Sequence, residues 1–315
     1  MSLIATIINI LAPVTLIIAL GWALVRTGFL SARALHDMNR LTYWVGLPSL
    51  LVYRTAASSP EIGTMGGVLI VGFATTLIGA LAAVIVARVL AIPLESRSTF
   101  VLGVFRGNLI FVGLPIVLYA FSGLGEAAAG VESSLLLVFG PMVVLYNVMA
   151  VLVLLHGGGV KRNDALSAAM RGLMTNPILI ACIVGLTLSW TATELPMLAE
   201  RTLSAIGQMA LPLALICIGG TLHTTRVHGS LRWAVVGSLM KLLLLPAVGY
   251  LLAVQLGLTA EHTLLLLILM ACPSATASYV LVRQMGGDEP LASGTILVSH
   301  LLAIPAMIVV LVVAI

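Results

Sequence analysis

Arg106-Gly107-Asn108-Leu109-Ile110-Phe111-Val112-Gly113-Leu114-Pro115-Ile116 is an apolar run with a break built into it. Gly113 costs helix propensity, and Pro115 removes a backbone donor while its ring clashes with the preceding turn. Carbonyls freed this way are tolerated in a bilayer only where protein or water supplies partners. A second stretch, Met270-Ala271-Cys272-Pro273-Ser274-Ala275-Thr276-Ala277-Ser278-Tyr279, repeats the device, with one proline followed by Ser274, Thr276 and Ser278. Those hydroxyls can satisfy unwound backbone. Each break leaves a half-helix whose N-terminus, with free N–H groups and the positive end of its dipole, attracts anions.

The surrounding chain has the same apolar character. Of 315 residues, 61% are hydrophobic and 8% charged, whereas a soluble domain is about a quarter charged. Soluble globular, disordered, coiled-coil and disulfide-framework classes are excluded. Apolar runs predict ten spans, at about 4–25, 41–57, 65–90, 98–122, 133–155, 176–192, 203–222, 232–256, 262–283 and 291–314. The two breaks fall in the fourth and ninth. Period-2 alternation is absent, so the class is an all-α membrane protein and not a barrel. The first run lacks a basic leader and reads as a helix, not a signal peptide.

Charge placement carries the next step. Net charge is +4 and pI about 9.2, but the basic residues are scattered singly, which excludes a nucleic-acid partner. Loops after odd spans hold Arg26, Arg33, Arg40, Arg88, Arg97, Lys161, Arg162, Arg171, Arg226, Arg232 and Arg283; loops after even spans hold only Arg54 and Arg201. The positive-inside rule therefore places odd loops in the cytoplasm and both termini outside. The loop 156–175, with Gly157-Gly158-Gly159, reads as a cytoplasmic linker between five-span halves at 1–155 and 176–315.

A fixed offset of 164 residues aligns those halves without a gap. It pairs Pro13 with Pro177, Gly21 with Gly185, Leu47-Pro48 with Leu211-Pro212, and Pro141 with Pro305. Five spans is an odd number, so the halves run oppositely across the bilayer. Inverted repeats with breaks near the midplane are a secondary-transporter architecture.

Arg106 lies about 12 Å into its span, and Lys241 at a similar depth. His300 is near the middle of the tenth span, while every acidic residue falls in a loop or at a span end. A sodium or proton site built on a buried carboxylate is therefore missing, and buried cations beside two helix N-termini fit an anion. His300 is the buried side chain that titrates near neutral pH, which leaves proton coupling open. Tyr43 and Asn147 are further polar groups within spans, of a kind that often joins helices. No residues are placed as a metal cluster, cofactor site or catalytic set, so enzyme and sensor readings rank below transport.

The fourth-span stretch from Gly107 to Ile116 resembles the corresponding motif of the auxin efflux carrier family. Cys272-Pro273-Ser274-Ala275-Thr276-Ala277, followed by Gly286-Gly287-Asp288 and Leu291-Ala292-Ser293, looks like that family's ninth helix and turn. Leu47-Pro48-Ser49-Leu50-Leu51 matches its second helix. The resemblance implies ten helices in two inverted repeats, with broken helices 4 and 9 crossing at the substrate site. It implies a scaffold of helices 1, 2, 6 and 7, often dimeric, a moving domain of helices 3–5 and 8–10, and an elevator-type mechanism. Plant members export auxin, an indole carboxylate; bacterial relatives are assigned to malate, malonate and similar anions. Ser278 stands where plant members carry a second crossover proline. The long central loop of many plant members is missing, as in the bacterial branch.

The expected substrate contacts are then Arg106, Asn108, Gly113, Pro115, Pro273, Ser274, Thr276, Ser278 and Tyr279, with Tyr43, Asn147, Lys241 and His300 behind them. The expected partners are a small organic anion, the lipid bilayer of the bacterial inner membrane and a second copy of the chain. The alternative is a sodium-coupled carrier of the bile-acid type, against which the missing intramembrane acids weigh.

Overall fold

The computed structural model describes residues 3–56, 62–121, 126–155, 171–172, 174–225 and 231–314, with backbone alone for 62–65 and 126–136. Most of the expected linker at 156–175 lies outside these residues, as does Arg226. Almost all of the described chain is helical, with no β-strand among the described residues, which agrees with the all-α class. The helices are α1 (Leu3–Arg26), α2 (32–56), α3 (Ile62–Val89), α4 (Leu94–Phe105), α5 (Leu109–Phe121) and α6 (Glu126–Leu155). They continue as α7 (Pro177–Trp190), α8 (Met197–Thr224), α9 (Leu231–Gln255), α10 (Ala260–Met270), α11 (Ala277–Gln284) and α12 (Glu289–Ala314). Among the described residues, α1, α3, α6, α8, α9 and α12 each contain a segment long and apolar enough to cross a membrane; α5, α7 and α10 are shorter apolar helices.

The expected fourth and ninth spans are each interrupted. Helix α10 stops before α11 at Pro273 as expected, but α4 stops before α5 at residues 106–108 and not at Gly113 and Pro115, which lie within α5. The expected second span begins nine residues earlier than its apolar run. Ser31 caps α2 by accepting from the Ala34 N–H at 3.1 Å, and a polar segment, Ala32–Leu41, runs without a break into the apolar part. The charges on that segment stop an apolar-run reading at 41. They do not stop a helix.

Among the described residues three helices contain a π-turn: Thr42–Gly46 in α2, Leu109–Gly113 in α5 and Met240–Leu244 in α9. Each ends two residues before a proline, namely Pro48, Pro115 and Pro246. A proline cannot donate to the carbonyl four residues back and its ring crowds that carbonyl. In each case that carbonyl belongs to the π-turn, whose wider winding relieves the conflict.

The chain forms two compact units. The first comprises residues 1–65, 110–141 and 174–224; the second comprises 66–109, 142–173 and 225–315. The chain passes from the second unit to the first just after the α4–α5 break and returns to the second after Pro141. In the first unit, α1 packs along α8, and α7 and α8 pack on the Leu47–Ala56 segment of α2. The approach of α1 to α8 is backbone against backbone. A Cβ on Gly219 would lie 1.9 Å from the Ile18 carbonyl oxygen, and one on Gly21 would lie 2.2 Å from that of Ile216. Lipid supplies no hydrophobic drive between helices, so small residues that permit such contact are a main source of packing energy.

In the second unit α12 packs against α4, α9, α10 and α11. Helix α10 is buried continuously from Thr263 to Met270, the mark of a helix apolar on all sides. The repeat register pairs like with like at Pro141 and Pro305, both inside long helices. It pairs unlike positions at Pro13, inside α1, and Pro177, the first residue of α7.

Candidate functional site

The two breaks meet within the second unit. Helix α4 ends at Arg106, whose backbone turns extended (φ −85°, ψ 96°). Helix α10 ends at Ala271, and Pro273 cannot continue it. The freed segments pair as a short antiparallel bridge between Gly107 and Ser274. Asn108 N–H donates to the Pro273 carbonyl at 2.7 Å, and Ala275 N–H donates to the Arg106 carbonyl at 2.9 Å. Each break thus supplies the backbone partners that the other lost, which answers the requirement that polar backbone be satisfied in lipid.

A third element braces the bridge. Ser274 N–H donates to Ser299 Oγ on α12 at 3.0 Å, and that hydroxyl donates to the Ile296 carbonyl at 3.0 Å. The same carbonyl lies 2.7 Å from His300 Nδ1. A carbonyl only accepts, so Nδ1 carries a proton and, in the neutral ring, Nε2 is left as an acceptor.

Polar side chains gather around this backbone. Arg106 is buried and one Nη donates to Asn147 Oδ1 at 2.9 Å; Asn108 is buried as well. Tyr146, next to Asn147, sets its ring edgewise on Phe105. Lys241 comes from the π-turn of α9 and is 0% exposed. A Cβ added to Gly107 would lie 3.0 Å from its Nζ, so the ammonium is against the bridge. Among the described residues, no hydrogen-bond partner reaches Lys241 Nζ, Ser274 Oγ, Ser278 Oγ or His300 Nε2, although all four atoms are buried. A buried charge normally is paired. The ammonium and the two hydroxyls are thus buried donors without an acceptor among the described residues, and the imidazole nitrogen is a buried acceptor without a donor.

The remaining expected residues lie as follows. Thr276 precedes α11, half-buried, with no capping hydrogen bond from its side chain. Tyr279 is half-buried, and its hydroxyl donates to the Glu289 carboxylate at 2.7 Å. The N–H groups of Ser274, Ala275, Ser278 and Tyr279 all have protein acceptors, so the open donors are mainly side chains. Gly113, Pro115 and Tyr43 belong to the first unit; Gly113 closes one π-turn, Pro115 is buried beyond it, and Tyr43 lies in another. Sequence reasoning placed Lys241 second and omitted Ser299. Pro246, five residues after Lys241, was the available signal for a distorted turn. Ser299 sits in an apolar run without a pattern to single it out. Among the described residues no group of three His, Cys, Asp or Glu side chains is placed to hold a metal ion.

The profile of the family described as "Membrane transport protein" matches residues 6–311. The chain belongs to that family. It is the auxin efflux carrier family that the fourth- and ninth-span motifs resemble. A relative named "Putative malonate transporter", from Rhizobium meliloti (strain 1021), is 26% identical over 316 residues, covering 93% of each chain. The ileal sodium/bile acid cotransporter of Oryctolagus cuniculus is 30% identical over 108 residues, covering 33% of this chain and 31% of its own. The protein is a multi-pass membrane transport protein.

Proposed function

We propose that this transporter is a secondary carrier of small organic anions, with a dicarboxylate of the malonate or malate kind bound beside the Gly107–Ser274 bridge. The observation that carries the reading is Lys241, a fully buried ammonium with no hydrogen-bond partner among the described residues. Uncompensated buried charge is costly, and a carboxylate placed against it removes that cost. Ser274 and Ser278 hydroxyls donate to the same anion, Asn108 orients it, and Arg106, held by Asn147, supplies a second positive charge nearby. His300 Nε2 offers a proton acceptor, so a proton-coupled cycle is part of the proposal's scope.

The frame of the proposal is ten crossings in two inverted repeats, with both termini outside the inner membrane. Helix pairs α4–α5 and α10–α11 each make one interrupted crossing. A scaffold formed by the first, second, sixth and seventh crossings dimerises, and the rest moves as an elevator. The named malonate relative, similar along 93% of the chain, supports the substrate class. The test is uptake of labelled malonate and malate into proteoliposomes. Asn108→Ala is expected to reduce uptake sharply in folded protein; unchanged uptake removes the site assignment.

The partial similarity to the bile-acid cotransporter favours one second reading, sodium-coupled uptake of a larger organic anion. Replacing sodium by potassium separates the two, because the first reading expects malonate uptake to persist and the second expects it to stop.

A further inference from the structure

The second unit holds a cavity of about 450 Å³ between the last turns of α3 and α6 and the first turns of α4. Its walls are apolar, formed by Val84, Leu94, Val101 and Leu152, and its charged lining residues are Arg88 and Arg97. Arg88 lies in the last turn of α3. Arg97 is held in place by its own Nε, which donates to the Ile92 carbonyl at 2.8 Å. Among the described residues no Asp or Glu lines the cavity; Glu95, in the same turn as Arg97, is exposed and outside its lining. The apolar surface continues along α3 through the exposed Leu81 and Ile85.

This arrangement has the polarity of a phospholipid. Two guanidiniums at helix ends match a phosphodiester, which arginine binds through paired N–H donors. The apolar walls below match an acyl chain. A small dicarboxylate would leave most of the apolar wall of Val84, Leu94, Val101 and Leu152 uncovered, with the Ser98 hydroxyl as the one polar lining group besides the arginines among the described residues. We propose that the cavity is a binding site for an anionic phospholipid, with the phosphate of a phosphatidylglycerol- or cardiolipin-type head group on Arg88 and Arg97 and one acyl chain along α3 and α6. Basic pockets at the rim between membrane helices hold such head groups through the same charge complementarity. The site is separate from the proposed anion site and requires no transport for its measurement.

The experiment uses the full-length protein in neutral detergent, without substrate. Retained lipid is read by native mass spectrometry and thermal stability by a melting scan, with phosphatidylglycerol, phosphatidylcholine or inorganic phosphate added. Phosphatidylglycerol is expected to be retained and to raise the melting temperature, and the other two are not. Arg88→Gln and Arg97→Gln are each expected to weaken retention about fivefold, from the usual contribution of one basic residue near an anionic lipid. Leu152→Trp, which fills the slot with both arginines kept, is expected to weaken it too. Should one arginine variant fold poorly, the other and Leu152→Trp still decide the matter. Equal retention of both lipids overturns the proposal, as do unchanged retention in these variants and a phosphate effect matching that of phosphatidylglycerol.

Discussion

Replacing Lys241 by Met separates a binding role from a structural one, because the two predict opposite signs. The Nζ is fully buried, lies against Gly107 and has no hydrogen-bond partner among the described residues. In the empty protein this charge is a liability of several kcal/mol, the effective cost of moving an ion out of water. Methionine occupies a similar volume without the charge, and its swap strain is below about 1.5 kcal/mol. Lys241→Met is therefore expected to raise the melting temperature of the substrate-free protein. The same substitution removes the partner of a bound carboxylate. Truncating one member of a buried charge pair costs about 2–5 kcal/mol, which is roughly 30- to 4,000-fold in Kd at 1.4 kcal/mol per tenfold. The assay is a melting scan in detergent with and without malonate, followed by proteoliposome uptake. Stabilised empty protein that no longer responds to malonate is the expected result. A destabilised variant that still responds fully refutes the reasoning, since Lys241 would then be a packing residue with partners other than substrate.

Four further substitutions test the frame that holds the site. Gly219→Ala would set a Cβ 1.9 Å from the Ile18 carbonyl, forcing α1 and α8 apart, and is expected to cost about 1–3 kcal/mol in thermal unfolding. Gly66→Ala is the matched control: among the described residues no atom beyond its own helix backbone and chain neighbours lies within 4 Å of its added Cβ, and the change is expected to be neutral or mildly stabilising. Asp288→Ala removes the acceptor of the Leu291 N–H at 2.9 Å and of the Ser96 hydroxyl, with an expected loss of about 0.5–2 kcal/mol by the same measurement. Ser299→Ala leaves the buried Ser274 N–H without its acceptor. A loss of about 1–3 kcal/mol is expected, with lowered malonate uptake because the bridge is no longer braced.

The helices and the two breaks were legible because each has a local cause. Apolar length sets a helix in lipid, and Pro273 marks where one of them fails. The fourth span fails at residues 106–108, ahead of the Gly113 and Pro115 that the sequence pointed to, because α5 accommodates that proline with a π-turn. The meeting of the breaks was not legible from composition or spacing. It depends on Gly107 and Ser274, 167 positions apart in the sequence, and only the family resemblance suggested a crossing. The role of Lys241 was half legible: its depth followed from a rise per residue, but its nearness to Gly107 depends on how α9 packs on α4. The start of α2 was misjudged for a different reason. Charged residues end an apolar run, whereas a helix with a good cap at Ser31 continues through them. The π-turns had a signal in the prolines that follow them, yet a lone proline in a membrane helix more often suggests a simple kink.

These distortions share one physical result. A straight apolar helix satisfies all its backbone groups and leaves nothing for a polar ligand. In α9 the π-turn before Pro246 carries Lys241, and in α5 the π-turn before Pro115 begins directly after Asn108. At the bridge, the backbone bonds lost by both broken helices are recovered through Asn108 to Pro273 and Ala275 to Arg106. With that backbone paired, the remaining demand passes to side chains: Lys241 Nζ, Ser274 Oγ, Ser278 Oγ and His300 Nε2. Three of those can donate, one carries full positive charge, and among the described residues no acidic side chain pairs with it. A ligand that binds the site must therefore bring the missing negative charge with it. Satisfying a preformed, unpaired cation is a differential interaction between empty and loaded protein. That is the form of free energy by which a ligand shifts a conformational equilibrium.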